Sequence, residues 1–361
     1  MKAFLLVNPG IELIAVKELK ELIQVKGKIN PSVVEFDATP AQLAELSFHC
    51  QSARRIALFL GCFESIESFP GKEEFSWEKI IAPGTSIKIE VENVKGQDNR
   101  FAIAKTVMGA LFSLLEKNKL PAVIDLKKPN LLLVVFQSAG KYYFGLDLCG
   151  KEINARAYRL FPHSASFKGD SAYAIVRTSG YIPSEKLVIG FVKDGTLAIE
   201  ATLFSHHLPC RNPAQEHHSW LKFPLFEEFL GQTSHKSNSV PIPFLRAFDE
   251  SKPNTIAAQK NSRLAKVSDH LFISRHSLDE LDTRYSPEEF DRAIFHLTSK
   301  DEEKINELYY QLKYILKPHA QVLLLSRSEW KPPESSTLTL VSETILPRGE
   351  GAVRMTLLEK K

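Results

Sequence analysis

The sequence predicts two small α+β units followed by an α/β domain, whose doubly wound, mostly parallel sheet ends in an antiparallel hairpin. Three observations predict it. Residues 1–65 read strand, helix, strand, helix, strand, with apolar residues at helical spacing between short β-rich runs. Residues 66–163 hold a second such group, built on one long helix and four strands. From residue 165 strands and helices alternate, the pattern of a parallel sheet with helices on both faces. A chain of 361 residues accommodates two or three domains.

Taken in order, residues 2–7 form a strand. Gly10 punctuates, and Ile11, Ile14, Ala15, Leu19 and Leu22 mark a helix to residue 23. A strand at 33–36 precedes a helix opened by Pro40, and IALFLGC (56–62) is the next strand. SIKIEV (86–91) alternates apolar and polar residues, as a half-buried strand does. The stripe Ile103, Val107, Ala110, Leu111 and Leu114 predicts a helix over 101–116, followed by strands at 122–126, 131–137 and 142–148. The third domain reads helix 170–180, strand 187–192, helix 196–204, strand 243–248, helix 254–266, strands 271–274 and 293–297, helix 302–316 and strand 321–325. Strands 337–345 and 352–358 flank Pro347-Arg348-Gly349, a spacing that demands a hairpin. Residues 205–240, rich in His, Pro and Ser, read as a long loop with one short helix at 224–230.

Hydrophobic residues make up 43% and charged residues 25%, which excludes a disordered or fibrous chain. The net charge of +3 is uninformative, but it hides a local bias. Residues 101–160 hold nine Lys/Arg against four acids, as a phosphate-facing module would and as a lysine-rich solvated surface also would. Four cysteines stand far apart, which fits a reducing cytoplasm better than a disulfide framework. The longest apolar run, LLLVVF (131–136), has the length of a strand, so no membrane span is expected.

The segments NPGIELIAVKELKEL, LKKPNLLLVVF…YYFGLDLCGKEINARAYR and KLVIGFVKDGTLAIEA carry a resemblance across the chain. Pro129-Asn130, Gly145-x-Asp147-Leu148-x-Gly150, Arg156-x-Tyr158-Arg159 and His163-x-Ala165 stand in the same order. The chain resembles the THUMP-domain RNA methyltransferases that methylate guanine N2 in tRNA or ribosomal RNA. The resemblance implies a ferredoxin-like domain (1–65), a THUMP RNA-binding domain (66–163) and a Rossmann-fold methyltransferase-like domain (164–361). It implies tRNA or another structured RNA as partner, with a catalytic or accessory protein as a further one. Lys105, Lys127, Lys128, Lys151, Arg156, Tyr158 and Arg159 are the candidate RNA contacts. Cations neutralise phosphates, and arginine pairs with them bidentately. The competing reading packs Tyr158 inside and bridges the arginines to acids.

The resemblance also implies S-adenosylmethionine as cofactor, and the residues that would bind it can be followed one by one. The family's turn after the first strand reads roughly Asp-Pro-x-Cys-Gly-Ser-Gly-Thr, followed by Ile-Glu-Ala. The aligned run is Ile189-Gly190-Phe191-Val192-Lys193-Asp194-Gly195-Thr196, then Ile199-Glu200-Ala201. Gly195, Thr196 and Glu200 match, whereas Lys193 replaces a glycine where the backbone approaches the ligand. Asp249 stands where an acid would take the ribose hydroxyls, and also where an acid would cap the next helix. Asn261 follows at the family spacing. The family's Asn/Asp-Pro-Pro-Tyr/Phe loop, which holds the flipped base, is replaced after His296 by Leu297-Thr298-Ser299-Lys300. His296, Thr298 and Ser299 therefore occupy the catalytic position without an aromatic plate. The leading expectation is an RNA-binding protein whose transferase centre has degenerated. An active guanine-N2 methyltransferase and a protein-interaction module stay open as alternatives.

Other constellations carry less. His206, His207, Cys210, His217 and His218 crowd together but fit no standard zinc spacing, so no metal is expected. Cys210 has no oriented base, and Ser164 and Ser166 beside His163 form no triad.

Overall fold

Strand propensity and helical periodicity are realised where each is strongest. The computed structural model describes residues 1–69, 76–211, 242–297 and 300–361, which fall into two units. The first runs from Met1 to Asn154 and takes in Arg211. The second holds Ala155–Cys210 with residues 242–297 and 300–361.

The first unit contains β1 (Lys2–Val7), α1 (Glu12–Ile23), β2 (Lys28–Asn30), β3 (Val33–Asp37), α2 (Pro40–His49), β4 (Ala53–Phe63), β5 (Thr85–Glu92), α3 (Gln97–Lys117), β6 (Ala122–Ile124), β7 (Leu131–Ser138) and β8 (Lys141–Asp147). Pro40 enters α2 behind a reciprocal cap between Thr39 and Gln42, which explains why that helix starts where the sequence said. The strands form one sheet in the order β2-β3-β1-β4-β8-β7-β5-β6. The elements on either side of residue 65 thus share a sheet, joined by the antiparallel β4–β8 pair. Its core includes Phe4, Leu6, Val134, Phe136 and Tyr143.

The second unit contains α4 (Gly169–Thr178), β9 (Leu187–Gly190), α5 (Thr196–Ser205), β10 (Leu245–Asp249), α6 (Lys252–Leu264), β11 (Leu271–Arg275), α7 (Leu281–Arg284), β12 (Phe290–His296), α8 (Glu302–Ile315), β13 (Leu316–Arg327), β14 (Leu338–Arg348) and β15 (Gly351–Lys360). Its sheet runs β11-β10-β9-β12-β13-β15-β14. The pairs from β11 to β13 are parallel, and β15 is antiparallel to both β13 and β14. This is the doubly wound sheet with a closing hairpin that the alternation predicted. The strand order reverses between β9 and β12, and open α/β sheets seat ligands at the carboxyl ends of strands beside such a switch point. The unit begins nine residues before the 163/164 boundary expected from sequence, because residues 156–159 are tied into it. The short helix expected at 224–230 lies outside the described residues. No described helix is long and apolar enough to cross a membrane.

Candidate functional site

The turn between β9 and α5 sits at the switch point. Phe191 (φ 58), Lys193 (φ 57) and Gly195 (φ 82) all adopt the left-handed region. For the two non-glycine residues this costs on the order of 1 kcal/mol each, so the surroundings must hold them. They do. The Phe191 ring lies 5.9 Å from Phe248 and 6.0 Å from Phe295, and the Lys193 N–H donates to Asp249 Oδ2 at 3.0 Å. Gly195 is needed twice over. A Cβ there would have the wrong φ and would lie 2.8 Å from Ala258 Cβ and 2.9 Å from Ala258 Cα on α6. Gly190 is covered as tightly, since a Cβ would fall 2.5 Å from Phe295 Cδ1 and 3.0 Å from Phe248 Cζ. His276 stacks on Phe248 at 4.2 Å and extends the aromatic layer.

The polar residues assigned to a cofactor all have partners within the unit. Asp249 Oδ1 accepts from the Ser251 N–H and from Asn254 Nδ2, both at 3.0 Å, so this acid organises the start of α6. Asn261 donates to Phe161 O at 3.0 Å and to Asp194 O at 2.9 Å, and accepts from the Phe161 N–H at 3.1 Å. Thr196 donates its N–H and hydroxyl to Asp194 Oδ1 at 3.1 and 2.8 Å. Glu200, wholly buried, accepts Arg156 Nε at 2.8 Å, Arg156 Nη2 at 3.0 Å and the Tyr158 hydroxyl at 2.7 Å.

Of the residues proposed to meet RNA, Arg156 and Tyr158 are therefore buried against Glu200, and Arg159 Nε pairs with Asp194 Oδ2 at 2.8 Å. The structure places them in the competing arrangement, in which the arginines bridge acids supplied by α5 and the turn before it. Burial opposes the charge on Arg156, but Glu200 overrides it and raises the guanidinium pKa well above its ordinary value. Burial and the same carboxylate raise the Tyr158 phenol, which stays protonated as a donor. In the first unit Lys105, Lys127, Lys128 and Lys151 are exposed. Asp125 accepts the backbone N–H groups of Lys127 and Lys128 at 2.8 and 3.0 Å, which shapes that turn. The side chains of Lys105, Lys127 and Lys128 pair with no acid among the described residues.

At the end of β12, Thr298 and Ser299 lie outside the described residues. His296 is half-buried against Phe167 at 5.0 Å. Burial, reinforced by the positive charge of Lys193 and Arg348 and by His163, pushes its imidazole down to about 3. His296 lines a cleft of about 400 Å³ with Ser164, Ser326, Arg327, Arg348 and Gly351. Of the His/Cys cluster, His206 lies on His270 at 4.1 Å, whereas His217 and His218 are outside the described residues.

Known proteins share this architecture. Residues 156–322 match the family model described as the RMKL-like methyltransferase domain (UPF0020). A possible methylase from Clostridium difficile 630 superposes with a TM-score of 0.81 at 14% identity, over 100% of this chain and 98% of that one. SMU.472, a putative methyltransferase complexed with SAH, gives 0.77 at 17% identity over 100% and 98%. TrmN from Thermus thermophilus gives 0.70 at 18% over 100% and 99%. At such identities the likeness is one of fold. The second unit has a Rossmann-like methyltransferase fold.

Sequence reasoning missed Arg327 and Arg348 as site residues. The hairpin turn that carries Arg348 was legible, and an arginine placed by a two-residue turn at the carboxyl end of a parallel sheet was the available signal.

Proposed function

We propose that the protein binds structured RNA, tRNA foremost, and that its methyltransferase-type unit works as a scaffold without transferring a methyl group. One observation carries the loss of chemistry: the residues that would meet a methyl donor are engaged with this chain's own groups. Phe191, Phe248 and Phe295 pack around Gly190, and Lys193 stands at the point of closest approach with its N–H on Asp249. Asp249, Asn261, Thr196 and Glu200 all hydrogen-bond within the protein. Residues so engaged offer S-adenosylmethionine a poor fit.

Support for RNA comes from the family resemblance and from the exposed lysines. Lys105, Lys127 and Lys128 offer exposed ammonium groups that form no close ion pair among the described residues, which suits phosphate neutralisation. An accessory or catalytic protein partner fits a scaffold role.

Two measurements test the reading. Calorimetry with S-adenosylmethionine should give no heat at millimolar ligand; micromolar binding would restore the transferase reading. Filter binding of tRNA should weaken steeply between about 50 and 200 mM salt. Binding that ignores salt, or no binding at low salt, would remove RNA from the proposal.

A further inference from the structure

The cleft at the ends of β12 and β13 holds a charge imbalance. Arg348 and Arg327 line it, and no Asp or Glu does among the described residues. Arg348 is nevertheless held firmly. Its Nη2 donates to Ser166 O at 2.9 Å and to Ser164 O at 3.2 Å, and its guanidinium lies 4.9 Å over the Phe167 ring. All three partners are neutral, and neither arginine has an acid partner among the described residues. The backbone fixes the position as well. Arg348 pairs with Gly351 across a two-residue turn, and Gly349 (φ 58) takes its first central position, where a type II′ turn needs positive φ.

A guanidinium whose Nη2 is held by carbonyls, and whose plane lies over a ring, keeps its Nε and Nη1 donors in fixed directions. Half-burial with no counter-charge is costly, and a bound anion relieves it. Burial and the charge of Arg159 lower the Arg348 pKa, and His296 beside it is driven to its neutral form, so nearby groups already register the excess of positive charge. The cleft also lies at the carboxyl ends of adjacent parallel strands, next to the switch point.

We propose that this cleft binds a phosphate group of an RNA strand, with Arg348 as the principal contact and Arg327 as the second cation. The proposal rests on the RNA-binding reading and gives it a place in the second unit. Arg348 donates to a phosphate oxygen from the Nη1 or Nε groups that its carbonyl partners leave over, Arg327 supplies longer-range attraction, and neutral His296 takes on positive character when the anion arrives.

The full chain is titrated with a short oligoribonucleotide, with guanosine 5′-monophosphate and with inorganic phosphate, by calorimetry and by the NMR titration of His296. The oligoribonucleotide is expected to bind, with the free anions competing weakly. R348Q should lower its affinity about tenfold or more, and R348K should recover part of the loss through charge alone. Phosphate should raise the His296 pKa in the unsubstituted chain but not in R348Q. Lys128→Gln should leave cleft binding unchanged. R348Q gives up two carbonyl hydrogen bonds, so its denaturant midpoint is measured beside its affinity, and R348K, which keeps a donor and the charge, separates lost binding from lost fold. If R348Q binds the oligoribonucleotide like the parent and His296 ignores phosphate, the proposal falls. If the mononucleotide binds and the strand does not, the RNA-strand assignment falls. Whole tRNA separates this inference from its premise. Salt-sensitive tRNA binding that is indifferent to Arg348 sinks the cleft and spares the RNA reading. Arg348-dependent phosphate binding without tRNA binding sinks the RNA reading and spares the anion site.

Discussion

The carboxyl ends of β9 and β13 belong to one sheet but differ in how their charges are met. Near β9 both arginines have found acids: Arg156 holds Glu200 through two bonds, and Arg159 holds Asp194. Around β13, Arg348 and Arg327 face a cleft with no acid among the described residues. Aromatic rings pack over Gly190 in the first region, and a cleft opens in the second. Arginines alike in sequence thus have opposite roles, and what separates them is the distance to a carboxylate. A buried, bidentate arginine contributes to the structure, whereas one held by carbonyls keeps its charge for a ligand.

The largest effect should come from breaking the buried pair. Glu200→Ala leaves the Arg156 charge uncompensated in the interior and removes the acceptor of Tyr158. The expected loss is about 3–5 kcal/mol of stability, read by denaturant unfolding. Arg348→Gln gives up two carbonyl hydrogen bonds without stranding a buried charge and should cost less, about 1–2 kcal/mol. If the two variants unfold alike, the contrast between the regions is false.

The packing over Gly190 gives the next effect. Gly190→Ala drives a methyl group into the rings of Phe295 and Phe248 and should cost about 1–3 kcal/mol. Adding Phe295→Leu should return part of that loss, because the smaller side chain makes room. If Gly190→Ala is neutral, the end of β9 is roomier than described, and a donor-binding cavity becomes plausible again.

These two sites also mark how far the sequence could be read. The doubly wound sheet and the closing hairpin were legible because both rest on local pattern. Alternating runs make strands, and Pro347-Arg348-Gly349 makes a turn that matches β14 and β15. The resemblance also singled out Lys193, and the structure sets that residue in the left-handed region with its N–H on Asp249. The roles of Arg156, Tyr158 and Arg159 were not, because Glu200 and Asp194 reach them from 44 and 35 residues along the chain. Charge counting finds cations without finding their partners. The aromatic cover on Gly190 was equally hidden, since Phe248 and Phe295 read as ordinary strand residues until parallel pairing sets them beside β9. β2 and α7 escaped because three and four residues carry too little periodicity.

A pH scan probes the open region. His296 is pushed from its ordinary value near 6.5 to about 3 by burial and the surrounding positive charge, so the folded chain keeps it neutral. The unfolded chain takes up that proton below about pH 6.5, so this group leaves stability intact above that pH and lowers it as pH falls toward 3. At pH 5 the penalty is at most about 2 kcal/mol, because only the interval from 6.5 down to 5 has been crossed. His296→Gln should flatten the curve over that window. Phosphate in the cleft should flatten it as well, by restoring the charged imidazole. Equal slopes for the variant and the parent would mean that the cations around His296 are already screened.

The smallest effect concerns stability, and it sharpens the comparison from the other unit. Lys127 and Lys128 are exposed on a turn that Asp125 shapes through backbone N–H groups, so their side chains contribute little to the fold. Lys127→Gln with Lys128→Gln should change unfolding by less than about 0.5 kcal/mol. If both side chains meet phosphate, the slope of log affinity against log salt for tRNA should fall by about two, one for each lysine lost. Arg348→Gln should lower the same slope by about one, and the triple variant should show the sum, because the contacts are independent phosphate neutralisations. A slope unchanged by the lysines but reduced by Arg348 would move RNA recognition to the second unit, and the reverse would leave the β13 cleft to a ligand of its own.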